Sequence, residues 1–101
     1  MKRYPILYLP SAERDLIAVL DYVSRESAAG AARILDELDK AIQRLGRFPE
    51  SGAVPKDKSL KSRGYRFIVV ENYLVFYRFE KKQIVVYRVL HGKRRYEFLF
   101  G

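Results

Sequence analysis

Apolar residues change their spacing once along this chain, and that switch limits the possible folds more than any other feature. From Ala12 to Leu45 they recur every three or four residues, as on one face of a helix. From Tyr65 to Leu90 they crowd into short segments dense in Val, Ile, Phe and Tyr, as in strands. The first region divides in two. Ala12, Leu16, Val19, Leu20 and Val23 predict a helix over about 11 to 25, with Ser11 as its N-cap and Glu13 and Asp15 at the positive end of its dipole. Ala31, Ile34, Leu35, Leu38, Ala41, Ile42 and Leu45 predict a second over about 28 to 46, stopped by Gly46 and then Pro49. The short break around Glu26 and Ser27 favours an antiparallel hairpin.

The strand-like segments are 65 to 70, 73 to 79 and 83 to 90, separated by hairpin-sized breaks at Glu71-Asn72 and Glu80-Lys81-Lys82. Residues 4 to 9, framed by Pro5 and Pro10, predict one more strand at a sheet edge. The order β-α-α-β-β-β gives an α+β fold, an antiparallel helical hairpin packed on a twisted, mostly antiparallel sheet. The last two strands are apolar on both faces and are expected to be central. Residues 50 to 64, rich in Ser, Gly, Pro, Lys and Asp, read as a basic surface loop. A chain of 101 residues has room for one such domain, residues 1–101.

Composition removes several kinds of chemistry. There are no cysteines, which excludes disulfides, thiolate metal sites and cysteine nucleophiles. One histidine excludes a histidine-built metal centre or a two-histidine acid/base pair within one chain. No metal or cofactor is expected. The amino terminus has no apolar run long enough for a signal peptide and no later segment approaches a membrane span, so the protein is expected in the cytoplasm without a membrane partner.

The net charge is +8, and it is unevenly placed along the sequence. Residues 1–50 carry eight basic and eight acidic side chains, whereas residues 51–101 carry twelve and four. Such an excess calls for a polyanionic partner: nucleic acid, an acidic protein segment or an anionic surface. The densest cluster is Arg88-Val89-Leu90-His91-Gly92-Lys93-Arg94-Arg95-Tyr96. With Arg66 and Arg78 from neighbouring strands, the cations Arg88, Lys93, Arg94 and Arg95 are expected to form a patch able to hold phosphates, unless they are simply solvated. His91 is the natural acid/base group near neutral pH. A self-cleaving phosphodiester needs both a proton acceptor and a donor, so Lys93, Tyr96 or a water would have to partner it.

Three features together resemble the RelE/ParE superfamily of bacterial toxins: the element order, the segment Phe48-Pro49-Glu50-Ser51-Gly52, and the run Ile84-Val85-Val86-Tyr87-Arg88-Val89-Leu90-His91-Gly92-Lys93-Arg94. The resemblance implies a toxin neutralised by a cognate antitoxin whose acidic, amphipathic carboxy-terminal segment wraps it, which allows a toxin-antitoxin hetero-oligomer. RelE-like members cut mRNA on the ribosome, and ParE-like members inhibit DNA gyrase. RelE-like nucleases usually place an arginine after the tyrosine opening the middle strand of the meander, where this chain has Tyr73-Leu74. They also carry a tyrosine near the end of the tail, where this chain has Phe98, Leu99 and Phe100. Arg66 and Arg94 fall where RelE-like proteins keep functional basic residues. The resemblance therefore implies a ParE-like gyrase inhibitor. The alternatives are a ribosome-dependent endoribonuclease, in which His91, Arg94 and Tyr96 would be catalytic, and a non-toxic basic binding module.

Overall fold

The computed structural model describes residues 2–92. The elements in chain order are β1 (Ile6–Tyr8), α1 (Pro10–Ser24), α2 (Ala28–Leu45), α3 (Lys58–Ser62), β2 (Arg66–Val70), β3 (Tyr73–Glu80) and β4 (Gln83–His91). They build the expected α+β architecture. The sheet order is β1-β4-β3-β2, with β1 parallel to β4 and the other pairs antiparallel. The two strands with apolar side chains on both faces, β3 and β4, are the central ones.

Two helix ends depart from expectation. Ser11 does not cap α1; the N-cap is Leu9, with Pro10 in the first turn, where its missing N–H costs nothing. The Ser11 hydroxyl instead donates 2.7 Å to the Tyr87 carbonyl, because that carbonyl lies on a sheet edge with no strand to pair it. Gly46 does not end α2 through a left-handed cap: its φ is −62°. A side chain is excluded there by the segment leading into β1, since a Cβ would sit 2.8 Å from the Tyr4 carbonyl oxygen. The Tyr4 N–H also donates 2.8 Å to the Gly46 carbonyl. At the other end of α2, the Ser27 hydroxyl caps the Gly30 N–H at 2.9 Å.

The core has two layers. Ile34, Leu38, Ile42 and Leu45 of α2 and Ala12 of α1 cover Val75, Tyr77, Ile84, Val86 and Val89 on one face of the sheet. The opposite face carries Phe67, Leu74, Phe76, Tyr87 and Leu90, and Leu60 with Tyr65 closes over it. Leu60 belongs to α3, a turn of helix inside the segment that composition reads as a surface loop. The Asp57 carboxylate caps it by accepting from the Leu60 N–H at 2.9 Å. Five residues carry no readable helical period, so only burial, 1% exposure for Leu60, reveals the element.

The Pro-Glu-Ser-Gly segment has a packing explanation. The Tyr77 hydroxyl, buried under this loop, donates 2.8 Å to the Pro49 carbonyl and accepts 2.9 Å from the Gly52 N–H. A Cβ at Gly52 would lie 2.5 Å from that hydroxyl oxygen, so only glycine lets the chain close over the ring. Gly52→Ala is expected to cost about 2–4 kcal/mol through steric displacement and a lost buried hydrogen bond. Thermal unfolding should show a midpoint lowered by about 10–20 °C.

Candidate functional site

The arginines expected to form one cationic face start from a shared constraint on β4. This central strand needs backbone partners on both sides, yet β1 pairs with it only from Ile84 to Val86. Beyond that point α1 takes over the edge. The Leu9 N–H donates to the Val86 carbonyl at 3.0 Å, and Ser11 serves the Tyr87 carbonyl. The Asp15 carboxylate accepts from the Val89 N–H at 2.9 Å. That carboxylate also takes a two-pronged contact from Arg88, with Nε at 2.8 Å and Nη2 at 3.1 Å. The pair is largely enclosed, with side chains 20% and 15% exposed, and the bond to Asp15 raises the guanidinium's affinity for its proton. Arg88 is therefore committed to holding α1 against β4.

The other two sheet arginines are committed elsewhere. Arg78 lies over the rings of Tyr65 and Tyr87, at 5.6 and 5.7 Å from their centroids, and faces the Glu80 carboxylate at 3.3 Å. The Tyr87 hydroxyl donates 2.8 Å to Glu80. Burial and that bond push the Tyr87 phenol above its ordinary range. Arg66 reaches back to the loop before β2, donating to the Glu50 and Gly52 carbonyls at 3.2 and 3.0 Å, with the Glu50 carboxylate at 3.7 Å. Arg66, Arg78 and Arg88 thus occupy three separate environments, each with an acidic neighbour. The sequence signal for these partners is faint: Asp15 lies one helical turn after Ser11, and Glu80 lies two residues after Arg78 on the same face of β3.

His91 ends β4, exposed, opposite Tyr73 in the register, and its ring meets the Tyr73 ring edge-on at 5.7 Å. Lys93, Arg94, Arg95 and Tyr96 lie outside the described residues. No helix among the described residues is long and apolar enough to cross a membrane.

Two measurements test this wiring. Asp15→Ala leaves the Val89 N–H and the Arg88 guanidinium without their partner, and denaturant unfolding should show a loss of about 3 kcal/mol. Burial raises the phenols of Tyr8, Tyr65, Tyr73, Tyr77 and Tyr87, so the folded chain keeps protons that the unfolded chain releases. Stability is then fully present below the usual tyrosine range near pH 10 and falls as pH rises through it, which melts between pH 8 and 11 would record.

Comparison with known proteins agrees with this architecture. A family model described as the ParE toxin of the type II toxin-antitoxin system parDE matches residues 6–96. The fold is similar to a chain in the chromosomal ParDE toxin-antitoxin system of P. aeruginosa, with a TM-score of 0.73, 19% identity, and 90% of this chain and 98% of that one covered. It is also similar to a chain of the RelBE2 toxin-antitoxin complex of Mycobacterium tuberculosis, with a TM-score of 0.59, 22% identity, and 88% and 98% covered. The sequence matches no curated protein.

Proposed function

Because this chain belongs to the ParE toxin family of type II toxin-antitoxin systems, we propose that it arrests growth in the cytoplasm by binding DNA gyrase, and that a cognate antitoxin holds it in check. The observation that carries the choice of target is Leu74. It pairs with Leu90 and packs into the apolar layer with Phe76, at the position where RNA-cleaving members of the superfamily are expected to carry an arginine. An apolar side chain there can neither hold a phosphate nor stabilise a phosphorane. This favours action by binding.

The antitoxin segment that suits this chain is acidic and amphipathic, since it must offset a net charge of +8. The target contact draws on His91 and the basic tail Lys93, Arg94 and Arg95, because the sheet arginines already have acidic neighbours. Purified protein is expected to block gyrase supercoiling while leaving mRNA on translating ribosomes intact. Replacing Lys93, Arg94 and Arg95 by Ala should weaken inhibition by at least roughly tenfold without shifting the thermal midpoint. Codon-phased cuts in translated mRNA, abolished by Arg94→Ala, would overturn the gyrase reading in favour of a ribosome-dependent nuclease.

A further inference from the structure

The electroneutral first half of the sequence hides a second cationic surface, assembled only in three dimensions. It lies at the end of the sheet where β1 and β4 begin. There Arg3, Arg44, Arg47 and Phe48 line one shallow cleft below the last turn of α2. Lys2 stands over the Tyr4 ring at 5.2 Å, and Tyr4 meets the ring of Phe79 edge-on at 4.8 Å. Phe79 leads into the β3–β4 turn, whose two connecting residues are Lys81 and Lys82. The Tyr4 bond to Gly46 and the bond from the Ile84 N–H to the Pro5 carbonyl, at 2.8 and 2.9 Å, lock these segments together. Six cations thus share one end of the molecule. None of the six has an ion-pair partner among the described residues. Asp39 is the single carboxylate among the cleft's lining residues.

The turn carries an independent sign of function. Lys81 and Lys82 have φ of 51° and 60°. Two consecutive left-handed residues in a two-residue hairpin are the conformation for which Asn-Gly is strongly preferred, and a long side chain there is strained. Two lysines therefore keep their charge at this tip against the local conformational preference, and such strain concentrates where a site needs it. His91 ends β4 at the opposite end of the strand, about 23 Å from Ile84.

We infer that this end of the molecule docks on the phosphate backbone of duplex DNA. Charge complementarity selects a polyanion, and three of the six cations are arginines suited to bidentate phosphate contact. The aromatic rings select a duplex over a single strand. Tyr4 already has Lys2 over its face and Phe79 at its edge, and Arg44 lies over Phe48 at 5.5 Å. Single-strand binding relies on aromatic faces open to unstacked bases, whereas paired, stacked bases need none. Contacts of this kind position a protein on DNA without reading its sequence.

The test uses the full chain and fluorescence anisotropy with a labelled duplex of arbitrary sequence, across a salt series. Six phosphate contacts give a slope of log affinity against log salt of about −5. The informative variant is Lys81→Asn with Lys82→Gly, which removes two charges and relieves the turn. It should raise the thermal midpoint by about 5 °C, so weaker binding could not be blamed on unfolding. Its slope should fall in magnitude by about 2, with affinity lowered ~60-fold at 0.1 M salt. Arg3→Ala with Arg47→Ala should give a similar loss. Unchanged binding in both double variants would overturn the inference, as would tighter binding to single-stranded RNA of equal length than to the duplex.

Discussion

A central strand must satisfy its backbone on both sides, and here the edge strand that should do so is too short. β1 covers three residues of β4, and the remaining edge is completed by side chains of α1, Ser11 and Asp15, standing in for a strand. Much else follows from this substitution. It fixes how α1 lies along the sheet, and it recruits Arg88 into an ion pair that ties helix and strand together. It coincides with the β-bulge between Phe76 and Tyr77, where the register gives Tyr87 no direct partner on β3 and frees its ring for the far face of the sheet. A carboxylate in a helix thereby serves the sheet's hydrogen bonding, the helix's placement and the neutralisation of a half-buried cation at once.

The same economy explains why the sheet is not an open cationic plate. Arg66, Arg78 and Arg88 lie on three strands and look interchangeable in a list of charges, yet each is drawn toward a nearby acid: Glu50, Glu80 or Asp15. Partly enclosed guanidinium groups favour such partners, because leaving an enclosed charge unpaired costs about 3 kcal/mol or more. At the end of the sheet where β1 and β4 begin, Lys2, Arg3, Arg44, Arg47, Lys81 and Lys82 have no such partner among the described residues.

Legibility tracked the range of the interaction. The helices, the strands and their order were readable because hydrophobic period is a local property that burial enforces residue by residue. The short helix carrying Leu60 is silent in the sequence because five residues leave no period, and Ser11 resembles a cap there although its hydroxyl answers a carbonyl 76 residues away. In the sequence Gly46 marks a helix stop and Gly52 sits within a family segment, but their necessity comes from close approach by Tyr4 and Tyr77. Of the proposed site, His91 could be followed into the structure, whereas the partners of Arg66, Arg78 and Arg88 were invisible until the strands were laid side by side.

The sequence by itself determined the α+β class, the central position of β3 and β4, and membership of a small basic toxin family, because these depend on periodicity, strand composition and short contiguous motifs. Tertiary structure alone decided which cations are spent internally and which stay exposed. A charge tally by sequence halves assigned the positive field to residues 51–101, yet Lys2, Arg3, Arg44 and Arg47 come from the neutral half. Of the acidic residues in that half, only Asp39 lines the cleft that Arg3, Arg44 and Arg47 share. Coulomb interactions act through space and are set by which groups end up within a few ångströms of one another, and that distance is a property of the fold rather than of sequence position.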